Sequence, residues 1–247
     1  MLSIICAYNN KKMLNDCVVQ SLEKQKNVEY EKIFVNAKDH GFSSAAETLN
    51  YGGEQANGDF LIFLHQDIVF EANDVLSKIE NYCKKNSFGI AGVAGIVKKD
   101  SQNILYTQIK DGEDHTEAGG EGACHSYTKP LKAVSLDECL FIIPKKVFKS
   151  FQFSDLGSTW HLYASDYACH CIKNKLNVLI LPIQEIWHLS DGKSFNMNYF
   201  DALGNLVKLY QKDFQTIYTI FGKWSTNRLI FNLKVLYRKL RYKISKR

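Results

Sequence analysis

Five apolar residues in a row, Phe60-Leu61-Ile62-Phe63-Leu64, follow the corner Asn57-Gly58-Asp59 and stop abruptly at His65-Gln66-Asp67. An apolar run of this length without alternation predicts a strand buried on both faces, as in a parallel sheet. In open α/β sheets, ligands bind just beyond the carboxyl ends of the strands. An imidazole and a carboxylate at that end suit a metal ion. They equally suit a strand cap or the start of a helix.

The surrounding pattern extends this reading. Leu2–Ala7 predicts a first strand, 13–25 a helix with apolar residues at 14, 18 and 22, and Lys32–Asn36 a second strand. Ser43 and Ser44 are candidate caps for a helix over 43–55. After the Asp67 strand come a helix over 72–84 and a glycine-punctuated strand over 89–97. Strand and helix alternate, which argues for βαβ units and a mostly parallel sheet. Between Asp100 and Lys129 the pattern dissolves into glycine-rich, charged sequence, and a loop this long inside a compact domain is usually functional or mobile. A strand over 134–143 follows, interrupted by Asp137-Glu138. Thr159–Lys173 predicts a helix, and 176–182 and 185–189 two short strands, the second carrying His188. The last fifty residues read as two or three helices.

A chain of 247 residues with 45% hydrophobic content suits one large α/β domain with a small appendage. No run approaches the roughly 18 to 20 apolar residues of a membrane span. Met1-Leu2-Ser3-Ile4 leads straight into a strand without a basic region or cleavage site, and seven scattered cysteines fit a reducing compartment. The expected location is therefore cytoplasmic. Charge is uneven. Residues 214–247 hold nine Lys or Arg and no Asp or Glu, which leaves the remainder with 22 basic against 26 acidic residues. Such a tail suggests a bound surface or partner.

Several stretches carry candidate chemistry. Ala7-Tyr8-Asn9-Asn10 sets an aromatic ring beside amides, suited to a nucleobase or simply a polar loop opening a helix. Asp137 and Glu138 interrupt an apolar strand, as a general base or hydroxyl-binding pair would, or as solvated acids at a bulge. Asp166 sits in an aromatic helix opening, where partial desolvation raises basicity, or where a buried carboxylate caps and hydrogen-bonds. His188, with Gly192 and Lys193 close behind, suits metal and phosphate, or a structural histidine. Cys169-His170-Cys171 lacks a second ligand pair at zinc spacing, so zinc is rejected. There is no Gly-x-Gly-x-x-Gly after the first strand and no Walker-type loop.

Taken together, these stretches resemble family-2 glycosyltransferases of the GT-A fold, most closely the subgroup related to the StrF proteins of streptomycin biosynthesis. Ser3-Ile4-Ile5-Cys6-Ala7-Tyr8-Asn9-Asn10 resembles that family's first strand and nucleotide loop. Leu49-Asn50-Tyr51-Gly52 and Ala56-Asn57-Gly58-Asp59 match its Asn-x-Gly and Ala-x-Gly-Asp pattern, and His65-Gln66-Asp67 stands in place of its Asp-x-Asp. Asp137-Glu138, the Trp160–Tyr167 stretch and His188 follow in order, so the likeness spans roughly residues 1–195. This chain departs at His65, where most members have Asp. It departs before Asp166, where Ala164 and Ser165 precede the usual base, and near Asn36, where a uracil-contacting Asp is replaced.

The resemblance implies a GT-A type three-layer α/β/α domain over 1–195 with a mostly parallel central sheet, and a basic C-terminal helical extension over 196–247. It implies a metal-dependent inverting transfer from a nucleotide-diphosphate sugar (UDP-, dTDP- or GDP-linked) to a hydroxyl of a glycan or lipid-linked acceptor. Donor contacts would be Ala7, Tyr8, Asn9, Asn36, Asn50, His65, Gln66 and Lys193. Mn²⁺ or Mg²⁺ would be held by Asp67 and His188, with His65 less secure. Asp166 is the first choice of base, with Glu138 and Asp137 behind it. Outside the resemblance, residues 223–247 mix apolar and basic side chains at near-helical spacing, as helices on anionic membrane surfaces do. That suggests peripheral attachment at the inner membrane face. The alternatives are a GT-A-fold binding module that has lost catalysis, or a nucleic-acid arm. The arm lacks any aromatic-basic recognition motif, so no nucleic acid is expected.

Overall fold

The computed structural model describes residues 1–100, 102–190 and 196–245. In chain order, β1 (Leu2–Tyr8) leads into α1 (Lys11–Leu14) and α2 (Gln20–Leu22), which are joined by a π-helical turn over Asn15–Val19. Then come β2 (Tyr30–Asn36), α3 (Ala45–Gln55), β3 (Phe60–Leu64), β4 (Ile68–Phe70), α4 (Val75–Lys85), β5 (Ile90–Gly92) and β6 (Ala94–Lys99). Residues 102–136 contribute β7 (Gln102–Thr107), β8 (Lys110–Asp111), β9 (Thr116–Glu117), β10 (Leu131–Lys132) and β11 (Ser135–Leu136). β12 (Leu140–Pro144), α5 (Lys145–Phe148), α6 (Tyr163–Lys173), β13 (Val178–Ile180) and β14 (Ile186–His188) complete the body. α7 (Asn198–Tyr210), the hairpin β15 (Thr216–Thr219) and β16 (Gly222–Ser225), and α8 (Arg228–Ser245) follow.

The central sheet has seven strands in the order β10-β13-β5-β12-β3-β1-β2. Five run in one direction, and β10 and β12 are reversed. The apolar run of β3 lies in the middle, parallel to β1 and antiparallel to β12. Alternation along neighbouring strands then makes two cores. Ile4, Cys6, Ile62, Leu64 and Ile142 point to the side covered by α1, α2 and α4. Ile5, Leu61, Phe63, Phe141 and Ile143 point to the side covered by α3 and α6. Phe63 is fully buried against Phe141, Phe148 and Phe153, a burial that contributes about 1.5–3 kcal/mol. This is the three-layer α/β/α architecture that the resemblance implies, with the run buried on both faces as expected.

Local chemistry fixes where the elements begin. Ser44 caps α3 through a reciprocal capping box with Glu47. Gly58 lets the chain turn hard into β3: a Cβ there would lie 2.7 Å from the Ser3 amide nitrogen, whereas the bare glycine donates its N–H to Ser3 Oγ at 2.8 Å.

Four expectations are corrected. The 89–97 strand is two, β5 and β6, in different sheets, because Val93 lies between the ladders. The 134–143 strand likewise splits at Asp137-Glu138 into β11 and β12. The 100–129 stretch holds three strands within its loop: β7 pairs with β6, and β8 and β9 form a short hairpin beside β14. Finally, the last fifty residues hold a β-hairpin between two helices rather than helices alone. Their Ile217, Trp224, Tyr199, Leu206 and Phe231 form a third cluster with Leu162 and Cys169 of the body. Among the described residues, no helix is long and apolar enough to cross a membrane.

Candidate functional site

β3 ends at Leu64, and the chain turns through His65-Gln66-Asp67 into β4. β4 pairs antiparallel with β14, opposing His188 to Ile68, and Leu189 N donates to Asp67 O at 3.0 Å. β14 in turn runs parallel to β8, opposing His188 to Asp111. Register alone therefore gathers His65, Asp67, His188 and Asp111 from three distant segments.

The side chains meet closely. His65 Nδ1 lies 3.4 Å from His188 Nε2, which lies 3.4 Å from Asp67 Oδ1. One ligand atom from each of the three falls within 4.8 Å of the others. Donor atoms around a single ion with bonds of about 2.1 Å stand roughly 3.0–3.4 Å apart, so the cluster is close to the spacing a divalent cation requires. The far nitrogens are also held. His65 Nε2 is 2.8 Å from Tyr163 Oη, and His188 Nδ1 is 3.3 Å from Asp111 Oδ1. A ring whose outer nitrogen keeps its proton against such a partner would present an inner lone pair to a metal, and His188 would do so only after releasing the second proton that its two acidic neighbours retain on it. The Asp111 contact is close in charge but outside hydrogen-bond geometry, and Asp111 Oδ1 is otherwise a buried acceptor without a partner.

Electrostatics follow from this crowding. Burial would lower the His188 pKa, but Asp111 and Asp67 overcome it and carry it up to about 10. For Asp67, burial opposes ionisation, and the contact with His188 wins, holding the carboxyl below its ordinary value. Burial and the His188 charge depress His65.

Beside the cluster opens a cleft of about 570 Å³. It is lined by Ala7, Tyr8, Asn9 and Asn36 from the ends of β1 and β2, by His65, Gln66, Asp67 and His188, and by Asp137 and Glu138. Gln66 ties two of these groups together. Its Oε1 accepts from the amides of Asn9 and Asn10 at 3.1 and 2.9 Å, and its Nε2 donates to Asn9 Oδ1 at 2.8 Å. Glu138 abuts the first amides of α6, those of Leu162, Tyr163 and Ala164, while its Oε1 has no partner. Leu162 holds φ +70 to aim that helix start, a left-handed conformation that costs a residue with a side chain about 1–2 kcal/mol. Burial, then the neighbouring Asp137, push the Glu138 carboxyl well above its usual range. Asp137 is held by donation from Cys139 N to its Oδ1 at 2.8 Å. Asp137 and His188 also border a second, acidic chamber of about 920 Å³ that includes Asp111, Glu113 and Glu117. Phe221, at the tip of the β15–β16 hairpin, walls both.

Two expected site residues lie elsewhere. Asp166 is buried away from the cleft, where Oδ2 accepts from Ser154 N at 2.9 Å and Oδ1 from Ser154 Oγ and Tyr210 Oη at 3.0 and 2.9 Å. With those partners it fastens α6 to α7 and has no route to an acceptor. Asn50 likewise turns from the cleft and pairs with the backbone of Phe153 in both directions. Lys193 lies outside the described residues. Asp111, Tyr163 and Phe221 were not anticipated, although the Asp111-Gly112 turn signal was present in the sequence.

Comparison with known proteins bears on this arrangement. The profile described as "Glycosyltransferase like family" matches residues 3–209. No curated protein sequence matches the chain. Among solved structures, S. aureus TarS (residues 1–349, in complex with UDP-GlcNAc) is similar at TM-score 0.58 and 12% identity, over 84% of this chain and 65% of that one. GalNAc-T7 with UDP, GalNAc and Mn²⁺ is similar at TM-score 0.61 and 13% identity, over 86% of this chain and 48% of that one. The chain thus spans less than two thirds of either structure, and at such identity the likeness is one of fold.

Proposed function

From the chain's membership of this glycosyltransferase-like family, which the match over residues 3–209 shows, we propose that it transfers a sugar from a nucleotide-diphosphate donor to a hydroxyl acceptor with inversion. The acceptor class is a glycan or a lipid-linked saccharide, and the assignment to the StrF-like subgroup is retained on the motif order of residues 3–188. The catalytic domain is taken as residues 1–195. Seven free cysteines support a cytoplasmic setting. The observation that carries the reading is one cleft joining the His65–Asp67–His188 cluster to the Glu138 carboxyl. The UDP-GlcNAc bound by TarS, and the UDP and GalNAc bound by GalNAc-T7, support the donor class.

In this reading Tyr8, Asn9 and Asn36 hold the nucleoside. His65, Asp67 and His188 would hold a divalent ion, and two imidazoles with one carboxylate suit Mn²⁺ better than Mg²⁺. Held there, such an ion would supply positive charge to offset that of the leaving diphosphate. Glu138 takes the proton from the acceptor hydroxyl as that oxygen attacks the anomeric carbon, and the nucleotide diphosphate leaves from the opposite face. Its unpartnered Oε1 and raised pKa suit a base working near neutral pH. Asp137, between the chambers, orients the acceptor.

The test is donor hydrolysis and transfer across UDP-, dTDP- and GDP-sugars with and without Mn²⁺. Wild type is expected to turn over with Mn²⁺, and Asp67→Ala to lose at least about a hundredfold. Absence of donor binding, or an unaffected variant, overturns the reading. A second reading rests on the ion cluster itself. His188 is flanked by the carboxylates of Asp67 and Asp111 at 3.4 and 3.3 Å, a charge balance that needs no metal, as a GT-A-fold binding module without catalysis would have it. That module binds a nucleotide sugar tightly and never turns it over.

A further inference from the structure

α8 meets the rest of the protein along one face only. Phe231 is buried, Val235 packs on the same cluster, and Lys234 Nζ and the Arg238 guanidinium stand 4.6 and 6.0 Å from the Trp224 ring centre. Arg238 Nη2 donates to Phe221 O at 3.0 Å, and Lys234 Nζ donates to Lys223 O. The opposite face is apolar and bare. Leu229, Leu233, Leu236 and Leu240 recur at steps of four, three and four residues and are 53–75% exposed, with Ile230 and Tyr237 beside them. Among the described residues, six of the ten exposed large hydrophobic side chains lie on this one helix. A contiguous stripe of that kind marks an interaction surface.

Charge decides what covers it. By sequence α8 carries Arg228, Lys234, Arg238, Lys239, Arg241 and Lys243 and not one Asp or Glu; Lys234 and Arg238 grip the hairpin on the inner face and Lys239 lies 3.5 Å from Asp201 Oδ1, so Arg228 and Arg241 stand on the flanks of the leucine stripe. A second copy of the helix would match the leucine seam but oppose cation to cation along both flanks, with no acid available to pair. An anionic lipid surface accepts both features at once: acyl chains take the stripe and headgroups take the cations.

We propose that α8 lies in the plane of an anionic bilayer, with Leu229, Leu233, Leu236 and Leu240 in the acyl boundary and the flanking Arg228 and Arg241 side chains among the headgroups. This goes beyond the transfer reaction, since it stands on the helix surface alone and its test contains no donor. Docking also bears on the cleft, because the hairpin tip that walls it is held by Arg238 of the same helix.

The experiment is co-sedimentation of the full chain with phosphatidylcholine vesicles and with vesicles that also contain phosphatidylglycerol. A Leu233→Ser/Leu236→Ser variant, checked by its thermal melt, runs in parallel with light-scattering mass in solution. The expected result is binding to the anionic vesicles only, weakened by salt, and reduced at least about tenfold in a variant that melts as wild type does. Three results overturn the proposal: binding to neither vesicle, binding the variant leaves unchanged, or a wild-type dimer that the variant converts to monomer without vesicle binding. Because donor turnover is measured without vesicles, failure here leaves the proposed reaction standing, and the converse also holds.

Discussion

Glu138 and Asp166 are both carboxyls pushed above their ordinary range by burial, yet only Glu138 borders the cleft. Burial of Asp166 is offset by three donors, whereas Glu138 keeps one oxygen without a partner. That difference is why the proposed reaction gives the base role to Glu138. With its pKa raised above 4.5, Glu138 is a competent base only once pH has climbed past the usual carboxyl range. The acidic limb of kcat/KM against pH is therefore expected above 4.5, and Glu138→Gln is expected to abolish that limb together with roughly 10²–10⁴ of the rate. Stability carries the opposite sign. A carboxyl whose folded pKa is raised contributes stability below its unfolded value and loses it as pH rises through the folded one. Glu138→Gln should thus melt higher than wild type at neutral pH, a cost the native protein bears for reactivity. The sequence showed both acids as interruptions of apolar pattern. It could not show which way each points, because Asp166 is turned by its contact with Tyr210, forty-four residues away.

At the scale of elements, the site is a product of strand register. The apolar run of β3, the helices around it and the capping serine of α3 were all legible from periodicity and capping chemistry. Short strands were not. β8 has two residues and β14 three, too few for any pattern to declare a pairing, yet their ladder sets Asp111 against His188. Asp111 accordingly escaped a reading that saw only a glycine-rich loop. An acid that orients a metal-binding imidazole typically contributes 10–100-fold to affinity. Asp111→Asn is expected to weaken Mn²⁺ binding by about that factor in titration calorimetry, while nucleotide binding measured without metal stays within about twofold. Equal Mn²⁺ affinity in the variant would mean that the Asp111–His188 contact serves the fold alone.

Across the whole molecule, two cores sandwich the sheet and a third joins the last fifty residues to α6. The basic character of that last segment was evident from its composition. Its hairpin was not, because β15 and β16 carry Gly222 and polar residues that read as a break between helices. The hairpin matters because Phe221 at its tip is exposed to the cleft and held from behind by the exposed Arg238. An exposed tether of this kind is worth at most about 1 kcal/mol. Arg238→Ala is expected to raise the apparent KM for acceptor several-fold with little change in kcat or melting temperature, read from steady-state kinetics.

The same tether sets a rule for anyone who shortens the protein. A fragment ending before Arg228 sheds the leucine-striped helix and looks easier to handle, but it also lets go of the chamber wall that the helix steadies. Silence from such a fragment would report a slackened cleft as readily as a missing lipid. Point changes on the outward leucines are the cleaner instrument, since they alter what the helix touches outside without releasing what it grips inside.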